Sequence, residues 1–218
     1  MTLLDQIDAL ITERHLLNHP FYQAWRAGTL PTEALQNYAR QYYAFESTFP
    51  RILSGLHSRT DRADLRQSIL DNLWDEEHGD ANHAELWMRF ADGLGVSRDD
   101  VRDARRTPQT QALVDGYLRL AREAPVGAGI AAVYAYEAQV PQVAQAKIDG
   151  LRERYGIEDE RTLSFFTTHA YLDVEHSAAE RAMVDELGDG HAEETLDATR
   201  WAVNAWWAFL DGVTPSAP

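Results

Sequence analysis

The chain has 218 residues, 44% of them hydrophobic, with no cysteine and a formal net charge of −15 at pH 7. The lack of cysteine excludes a disulfide framework, a thiolate metal site and a cysteine nucleophile. The acidic surface is expected to repel nucleic acid and anionic membranes. No apolar run is long enough to predict a transmembrane helix, and the N-terminus MTLLDQIDAL lacks the features of a secretion signal. We therefore expect a cytoplasmic protein without nucleic-acid or membrane partners.

Helical periodicity runs along almost the whole chain, and strand alternation appears over no useful length. We predict helices over 3–17, from Thr32 to near Gly55, and over 62–92, 109–122, 128–153, 158–186 and 190–210. The segment FYQAWRAG adds a short helical turn, and Ser97 is expected to begin a new helix as its N-cap. Pro50 is expected to kink or interrupt its helix, and Pro141 is expected to bend the helix that contains it. The sequence thus predicts one all-α domain of seven or more helices with short loops.

The stretch FTTHAYLDVEHSAAER, residues 166–181, places polar groups on a helix face that should be buried. His169, Asp173 and His176 follow the spacing i, i+4, i+7 and lie in phase with the apolar Phe166 and Met183. A single histidine on such a face is usually a hydrogen-bonded core residue. Three metal-binding groups on one buried stripe instead predict a shared metal ion, because unpartnered buried charges are costly.

A second group of candidate ligands lies in LWDEEHGDANHAELW, residues 73–87. Glu76 and His83 are in phase with the apolar positions of this segment, so both are predicted to face inward. Asp80 lies between them on the same stripe and is a candidate to orient His83 through its second ring nitrogen. Glu77 and His78 are rotated away and are predicted to be solvated.

Glu137, in the segment AAVYAYEAQVPQ, is the third candidate carboxylate among the ligands. Its neighbours are almost all apolar or aromatic, and it is the only acid between Glu123 and Asp149. A lone acid in such a helix is costly unless it binds a metal ion or accepts hydrogen bonds. Glu46, in YAFESTFP, is likewise an acid among aromatic residues, and no role for it follows from the sequence.

Together these positions supply three carboxylates and three imidazoles from three long helices, enough to hold two first-row metal ions. The six candidate metal ligands are Glu76, His83, Glu137, His169, Asp173 and His176. Oxygen and nitrogen ligands without sulfur favour iron or manganese, and inward carboxylates and histidines are typical of helical di-iron proteins. The paired Glu-x-x-His motifs of ferritin-like bundles are absent, so a different kind of helical di-metal site is predicted.

The chain resembles the heme-oxygenase-like di-metal oxidases, and more closely the p-aminobenzoate synthases related to the Chlamydia protein associating with death domains. The segments DEEHGDANHAELWMRFADGLG, YEAQVP and HAYLDVEH carry this resemblance, which covers nearly the whole chain. It implies a heme-oxygenase-like bundle over residues 1–212, followed by a flexible tail at 213–218. It also implies that the six candidate ligands bind the metals, as Fe/Fe or Fe/Mn.

The resemblance further implies that the product comes from the protein's own tyrosine and that a lysine supplies the nitrogen. Tyr22 in HPFYQAW and Tyr38 in LQNYARQYY match the functional tyrosines of the family, and Lys147 in QVAQAKIDG matches its lysine. Lys147 lies ten residues after Glu137, so both should project from one side of one helix. Without the resemblance, Lys147 would be interpreted as a surface lysine extending along a helix.

This chemistry is coherent with tyrosine as the source of the product's ring. Cleavage between the α and β carbons would leave the β carbon as a carboxylate, and exchange of the phenol oxygen for an amine would give p-aminobenzoate. Both steps are demanding oxidations, which suit a di-metal centre that activates O₂ in a closed cavity with an external reductant. A protein that consumes its own tyrosine would act once.

Several other functions remain open at the level of the sequence. A thiaminase-like enzyme would need a cysteine nucleophile, and a cofactorless oxidase that closes a quinone ring would lack these ligands. An oxidase of a free amine or fatty acid would not need Tyr22 or Lys147, and a metal-storage protein would make no product. A protein-binding module would use the acidic surface and Trp206-Trp207, which look exposed in the sequence. Homodimer formation and the identity of the electron donor are also open.

Overall fold

The computed structural model describes residues 1–214 as a set of α-helices, with no β-strand among them. The helices are α1 (Leu3–Glu13), α2 (Pro20–Ala27), α3 (Thr32–Glu46), α4 (Phe49–Arg59), α5 (Ala63–Glu77), α6 (His83–Gly93), α7 (Arg98–Arg102), α8 (Pro108–Glu123), α9 (Val126–Glu137), α10 (Val140–Tyr155), α11 (Glu160–Leu187) and α12 (Ala192–Val213). Short 3₁₀ turns at Leu16–Asn18 and Asp189–His191 precede α2 and α12. None of the helices in this part of the chain is both long and apolar enough to cross a membrane. The predicted all-α, single-domain class is confirmed.

Two prolines mark breaks in predicted long helices: Pro50 interrupts its helix, as expected, whereas Pro141, which was expected only to bend its helix, lies at the start of a new one. Pro50 is the second residue of α4 and Pro141 is the second residue of α10, so two predicted helices are each divided in two. Proline is tolerated in the first turn of a helix, where its missing N–H would have no partner. In a continuous helix it would remove a hydrogen bond and clash with the preceding turn.

The predicted helix over 62–92 is also two helices, because the chain turns between Glu77 and His83. Gly79 adopts a φ of +81°, a left-handed conformation that glycine reaches at little cost. Asn82 then caps α6, since its side-chain oxygen accepts a hydrogen bond from the backbone N–H of Glu85 at 3.0 Å. His83 therefore lies in the first turn of α6.

Helix α9 lies at the centre of the bundle. Every residue from Gly127 to Glu137 is buried, and the helix packs against α11 and α12 as well as α8, α4 and α1. A helix that is apolar all round is stable only when neighbours cover all its faces. Glu137, the last residue of α9, is therefore carried into the interior.

Aromatic side chains fill the region where α3, α6, α9 and α12 meet. The ring centroids of Tyr42 and Trp87 are 4.1 Å apart, and Trp206 stacks on Tyr136 at 4.2 Å. Trp206 is 2% exposed, and its Nε1 donates a hydrogen bond to a buried tyrosine hydroxyl. The interpretation of Trp206 as part of an exposed binding surface is therefore wrong.

At the C-terminus, α12 continues to Val213, one residue past the predicted domain boundary, and Thr214 caps it. The remainder of the predicted tail, 215–218, lies outside the described residues. The flexibility of that tail stays a prediction.

Candidate metal centre

The six predicted metal ligands lie on four helices rather than three. Glu76 is on α5, His83 on α6, Glu137 on α9, and His169, Asp173 and His176 are on α11. Five of them are buried, and the side chain of His176 is only 10% exposed. Because the chain turns at Gly79, α6 packs against both α5 and α11, and this packing brings His83 to Glu76.

The ligand groups of three helices are in direct contact. Glu76 Oε1 lies 2.8 Å from His83 Nδ1, and the rings of His83 and His169 have centroids 4.3 Å apart. His169 Nδ1 lies 2.8 Å from the carbonyl oxygen of Phe165, to which it can donate a hydrogen bond. That bond leaves Nε2 of His169 as the nitrogen available to a metal ion.

His176 is held at the edge of this cluster. Its Nε2 lies 3.1 Å from Asp75 Oδ2, and its Nδ1 lies 3.7 Å from Asp173 Oδ1. Asp75 is partly exposed and was not singled out in the sequence, although it adjoins Glu76. Its carboxylate fixes the imidazole so that Nδ1 faces Asp173, as an outer partner of a metal-binding histidine commonly does.

Several polar atoms of the cluster are buried without a hydrogen-bond partner among residues 1–214. They are Glu46 Oε1, Glu76 Oε2, His83 Nδ1 and His176 Nδ1. The 2.8 Å contact between Glu76 and His83 lacks hydrogen-bond geometry, so the two groups approach without satisfying each other. Buried polar atoms are nearly always paired, and a shared cation would pair these. The residues therefore fit a metal centre with oxygen and nitrogen ligands.

The shifted pKa values of the predicted ligands also indicate that these residues need a cation. Burial raises the pKa of Glu76, and the nearby carboxylates of Glu137 and Asp173 raise it further. Burial also raises the pKa of Asp173, and it lowers the pKa of His169 well below its usual value. Burial alone would lower the pKa of His176, but Asp173 and Glu137 outweigh it and raise that pKa to about 9. A divalent cation reverses this balance, because it stabilises ionised carboxylates and binds neutral imidazoles.

Glu46 belongs to this cluster, although no role for it follows from the sequence. Ligand-type atoms of Glu46, His83 and His169 all lie within 4.8 Å of one another. Glu46 is 3% exposed, and burial together with the charge of Glu76 raises its pKa well above the usual value. The available signal was the isolated acid among the aromatic residues of α3.

Asn72 and Glu180 are two further buried polar residues, and neither was predicted from the sequence. Asn72 Nδ2 donates to Glu137 Oε2 at 3.2 Å and to Glu180 Oε1 at 3.4 Å. Asn72 lies four residues before Glu76, and Glu180 lies four residues after His176, so each extends a ligand stripe by one helical turn. That continuation of the stripe was the signal that could have identified them.

Asp80, which was expected to orient His83, is exposed in the turn that follows α5. The expectation is wrong because it assumed a continuous helix, whereas α5 ends at Glu77. Glu77 and His78 are exposed as predicted, and the His78 ring stacks on Trp74 with centroids 3.9 Å apart.

The three residues implied by the family resemblance form a buried hydrogen-bonded chain. Lys147 Nζ donates to the Tyr38 hydroxyl at 2.7 Å, and that hydroxyl lies 3.2 Å from the hydroxyl of Tyr22. Lys147 is 5% exposed, so its interpretation as a surface lysine is wrong. Lys147 belongs to α10 whereas Glu137 ends α9, so the two reach the interior from separate helices rather than from one face of one helix.

A closed cavity of about 10 Å³ connects this hydrogen-bonded chain of side chains to His169, one of the predicted metal ligands. Tyr22, Lys147 and His169 line it together with Tyr42 and Tyr136, whose hydroxyls are hydrogen-bonded to each other. The space is roughly what a single water molecule requires. It therefore leaves no room for a second aromatic molecule beside Tyr22.

The buried position of Lys147 has a measurable effect on stability. Burial lowers its pKa to about 7, and the charge of Glu46 opposes the shift only in part. Between pH 7 and the usual lysine value of 10.5, the unfolded chain therefore binds more protons at this site than the folded chain. Below about pH 7 the amine is protonated in both states, so its contribution no longer changes with pH.

Between pH 7 and 10.5, we expect the free energy of unfolding of the metal-free protein, relative to Lys147→Met, to rise by about 1.4 kcal/mol per pH unit. Denaturant unfolding of both proteins at a series of pH values measures the difference. Parallel pH profiles for the two proteins would contradict the lowered pKa.

Comparison with known proteins agrees with this fold. A family model described as an iron-containing redox enzyme matches residues 36–207. The chain belongs to this family of heme-oxygenase-like, iron-containing redox enzymes. It is 40% identical over 211 residues to a 4-aminobenzoate synthase of Chlamydia muridarum. The matched region covers 97% of this chain and 89% of that protein. A 4-aminobenzoate synthase of Nitrosomonas europaea is 41% identical, with 97% of this chain and 91% of that protein covered.

A solved structure confirms the arrangement of the helices. It is a domain of unknown function with a heme oxygenase-like fold from Shewanella denitrificans. The two superpose with a TM-score of 0.80 over 96% of this chain and 89% of that chain, at 14% sequence identity. At that identity the likeness concerns the fold alone.

Proposed function

We propose that this protein forms p-aminobenzoate from its own Tyr22, with Lys147 as the source of the amine nitrogen. The observation that carries the proposal is the buried chain from Lys147 through Tyr38 to Tyr22, which shares a closed cavity with His169. The similarity to 4-aminobenzoate synthases over 97% of the chain supports the product. The small cavity supports an internal source of the ring, because a free aromatic substrate would not fit in it.

The proposed conversion balances atom by atom. The Cα–Cβ bond of Tyr22 breaks, Cα takes up a hydrogen and remains as a glycyl CH₂, and Cβ is oxidised to the carboxylate carbon of the product, a net loss of four electrons. At the para carbon a C–N bond to Lys147 Nζ replaces the C–O bond, and the phenol oxygen leaves as water, so the oxidation level of that carbon is unchanged. Cε of Lys147 is oxidised to the level of an aldehyde, a loss of two more electrons, so that the Cε–Nζ bond breaks with water and Nζ leaves as the amine of the product. Reduction of two O₂ molecules to water takes up these six electrons and two more from an external reductant.

Two metal ions, as Fe/Fe or Fe/Mn, supply the activation of O₂ when they are bound. The residues proposed to hold them are Glu76, His83, Glu137, His169, Asp173 and His176. Lys147 can act as a nucleophile near neutral pH, because its pKa is lowered to about 7 and only the unprotonated amine is nucleophilic. Tyr38 lies between Lys147 and Tyr22 and can transfer a proton or an electron between them.

Labelled tyrosine tests the source of the ring. Protein with carbon-13 in its tyrosine rings is given iron, a reductant and O₂ in the presence of unlabelled free tyrosine. We expect labelled p-aminobenzoate in single-turnover amount, with a matching loss from the intact mass of the protein. Tyr22→Phe should give none, whereas Tyr43→Phe, which alters a partly buried tyrosine on α3, should give wild-type amounts.

Two results would contradict the proposal. Labelled product from Tyr22→Phe would move the source to another tyrosine. Unlabelled product made over many turnovers would identify the protein as a di-metal oxidase of a free substrate.

A further inference from the structure

A second cavity opens to solvent beside His176. It has a volume of about 220 Å³ and lies between α4, α5, α9 and α11. Its lining is partly apolar, with Leu53 and Met183 among the contributing residues. The buried polar side chains of Asn72 and Glu180 also line it. The cavity therefore connects solvent to His176, at the edge of the predicted metal site.

Carboxylates lie at both the outer and the inner end of this cavity. Asp71 and Glu175 are exposed, and the side chain of Asp75 is 39% exposed. Glu180 is only 3% exposed, and its Oε2 has no hydrogen-bond partner among residues 1–214. None of the described residues that line the cavity is a lysine or an arginine. The cavity thus presents negative charge to solvent and a free, buried oxygen ligand inside.

We propose that this cavity is the route by which divalent metal ions enter the di-metal centre. Asp71 and Glu175 attract the hydrated ion, and Glu180 receives it before it reaches Glu137 and His176. The proposal rests on the metal centre assigned under the proposed function. Carboxylate oxygens are suitable transient ligands for Fe²⁺ or Mn²⁺, which bind oxygen readily.

Glu180 is placed to pass an ion onward to a proposed ligand. Asn72 Nδ2 contacts Glu137 Oε2 at 3.2 Å and Glu180 Oε1 at 3.4 Å, so a single amide group joins the two carboxylates. An ion bound by Glu180 would therefore need to move only a short distance to reach Glu137.

Within residues 1–214, the opposite end of the predicted metal site shows no comparable route. The closed cavity beside His169 lies about two helical turns from His176 along α11, and the side chains that line it are all buried. Entry at the His176 end would load the metals without opening the cavity that contains Tyr22 and Lys147. Metal ions would then enter through one cavity, and the reacting side chains would lie in another.

Metal uptake by the metal-free protein tests this route without reference to activity. Fe²⁺ is added anaerobically, and the bound ion is quantified over time by quenching with a chromogenic Fe²⁺ chelator. Asp71→Asn/Glu175→Gln should bind the same final number of ions with a rate constant lowered about tenfold at low ionic strength. Added salt should reduce the difference, because it screens exposed charges. The matched control, Asp149→Asn/Glu153→Gln, removes two exposed charges from α10 and should keep the wild-type rate.

A second variant tests the path rather than its charge. Ser68 lines the cavity, so Ser68→Phe should slow uptake at every salt concentration while the final stoichiometry stays the same. Wild-type rates in both cavity variants would overturn the proposed route, since ions would then enter elsewhere. Failure of the wild-type protein to bind any Fe²⁺ would overturn the metal centre itself, which distinguishes that failure from a wrong route.

Discussion

Lys147→Arg protein is expected to fold, to bind both metal ions and to release no p-aminobenzoate. Arginine keeps its proton at every accessible pH, so it cannot act as the nucleophile, and it would place a guanidino group on the ring. Lysine at this position differs because burial lowers its pKa to about 7 and frees the amine. Metal content measured anaerobically, followed by product analysis after exposure to O₂, tests the two parts of the prediction. Lys147→Met, which buries no charge, should give the same result.

The composition of the chain makes the nitrogen assignment selective. Lys147 is the only lysine in the sequence, so protein grown with nitrogen-15 at lysine Nζ carries one labelled side chain. The label should appear in p-aminobenzoate and disappear from the peptide that contains Lys147. Unlabelled product together with an active Lys147→Arg variant would assign the nitrogen to a free amine in solution.

The polar stripe of α11 could be predicted because its signal is local. His169, Asp173 and His176 belong to one uninterrupted helix, so their spacing in the sequence fixes their relative positions. The same reasoning placed Glu76 and His83 on one helix. The prediction of one continuous helix is wrong. The two side chains are nevertheless in contact, because both flank a short turn and point into the same interior.

Contacts between helices could not be read from spacing. Tyr22, Tyr38 and Lys147 lie on α2, α3 and α10 and meet only through packing, so a family resemblance identified them where periodicity did not. Asn72 and Glu180 show the limit in part. Spacing could have placed each on the ligand stripe of its own helix, but the hydrogen bonds from Asn72 to Glu137 and Glu180 depend on how α5, α9 and α11 pack.

His83→Ala protein is expected to lose at least one metal ion and, with it, the ability to form product. Loss of an outer partner of a metal ligand already costs about 10–100-fold in affinity, so loss of a ligand should cost more than about 100-fold. Metal analysis after anaerobic dialysis measures the loss. The matched control is His78→Ala, which removes an exposed histidine from the same segment and should retain both ions and full product yield.

The gain in thermal stability on metal binding distinguishes a metal ligand from a residue that only packs in the core. In the metal-free protein His83 Nδ1 is buried without a hydrogen-bond partner among the described residues, so its removal also removes an unsatisfied group. Metal-free His83→Ala should therefore not be much less stable than the metal-free wild type.

A bound ion stabilises only proteins that hold it, by about 2.7 kcal/mol at a metal concentration 100 times Kd. Wild type and His78→Ala should thus gain several degrees in Tm on anaerobic addition of Fe²⁺, and His83→Ala should gain much less. A full Tm gain with normal product yield in His83→Ala would remove His83 from the ligand set, and the carboxylates of Glu46 and Glu76 would then have to hold the ion without it.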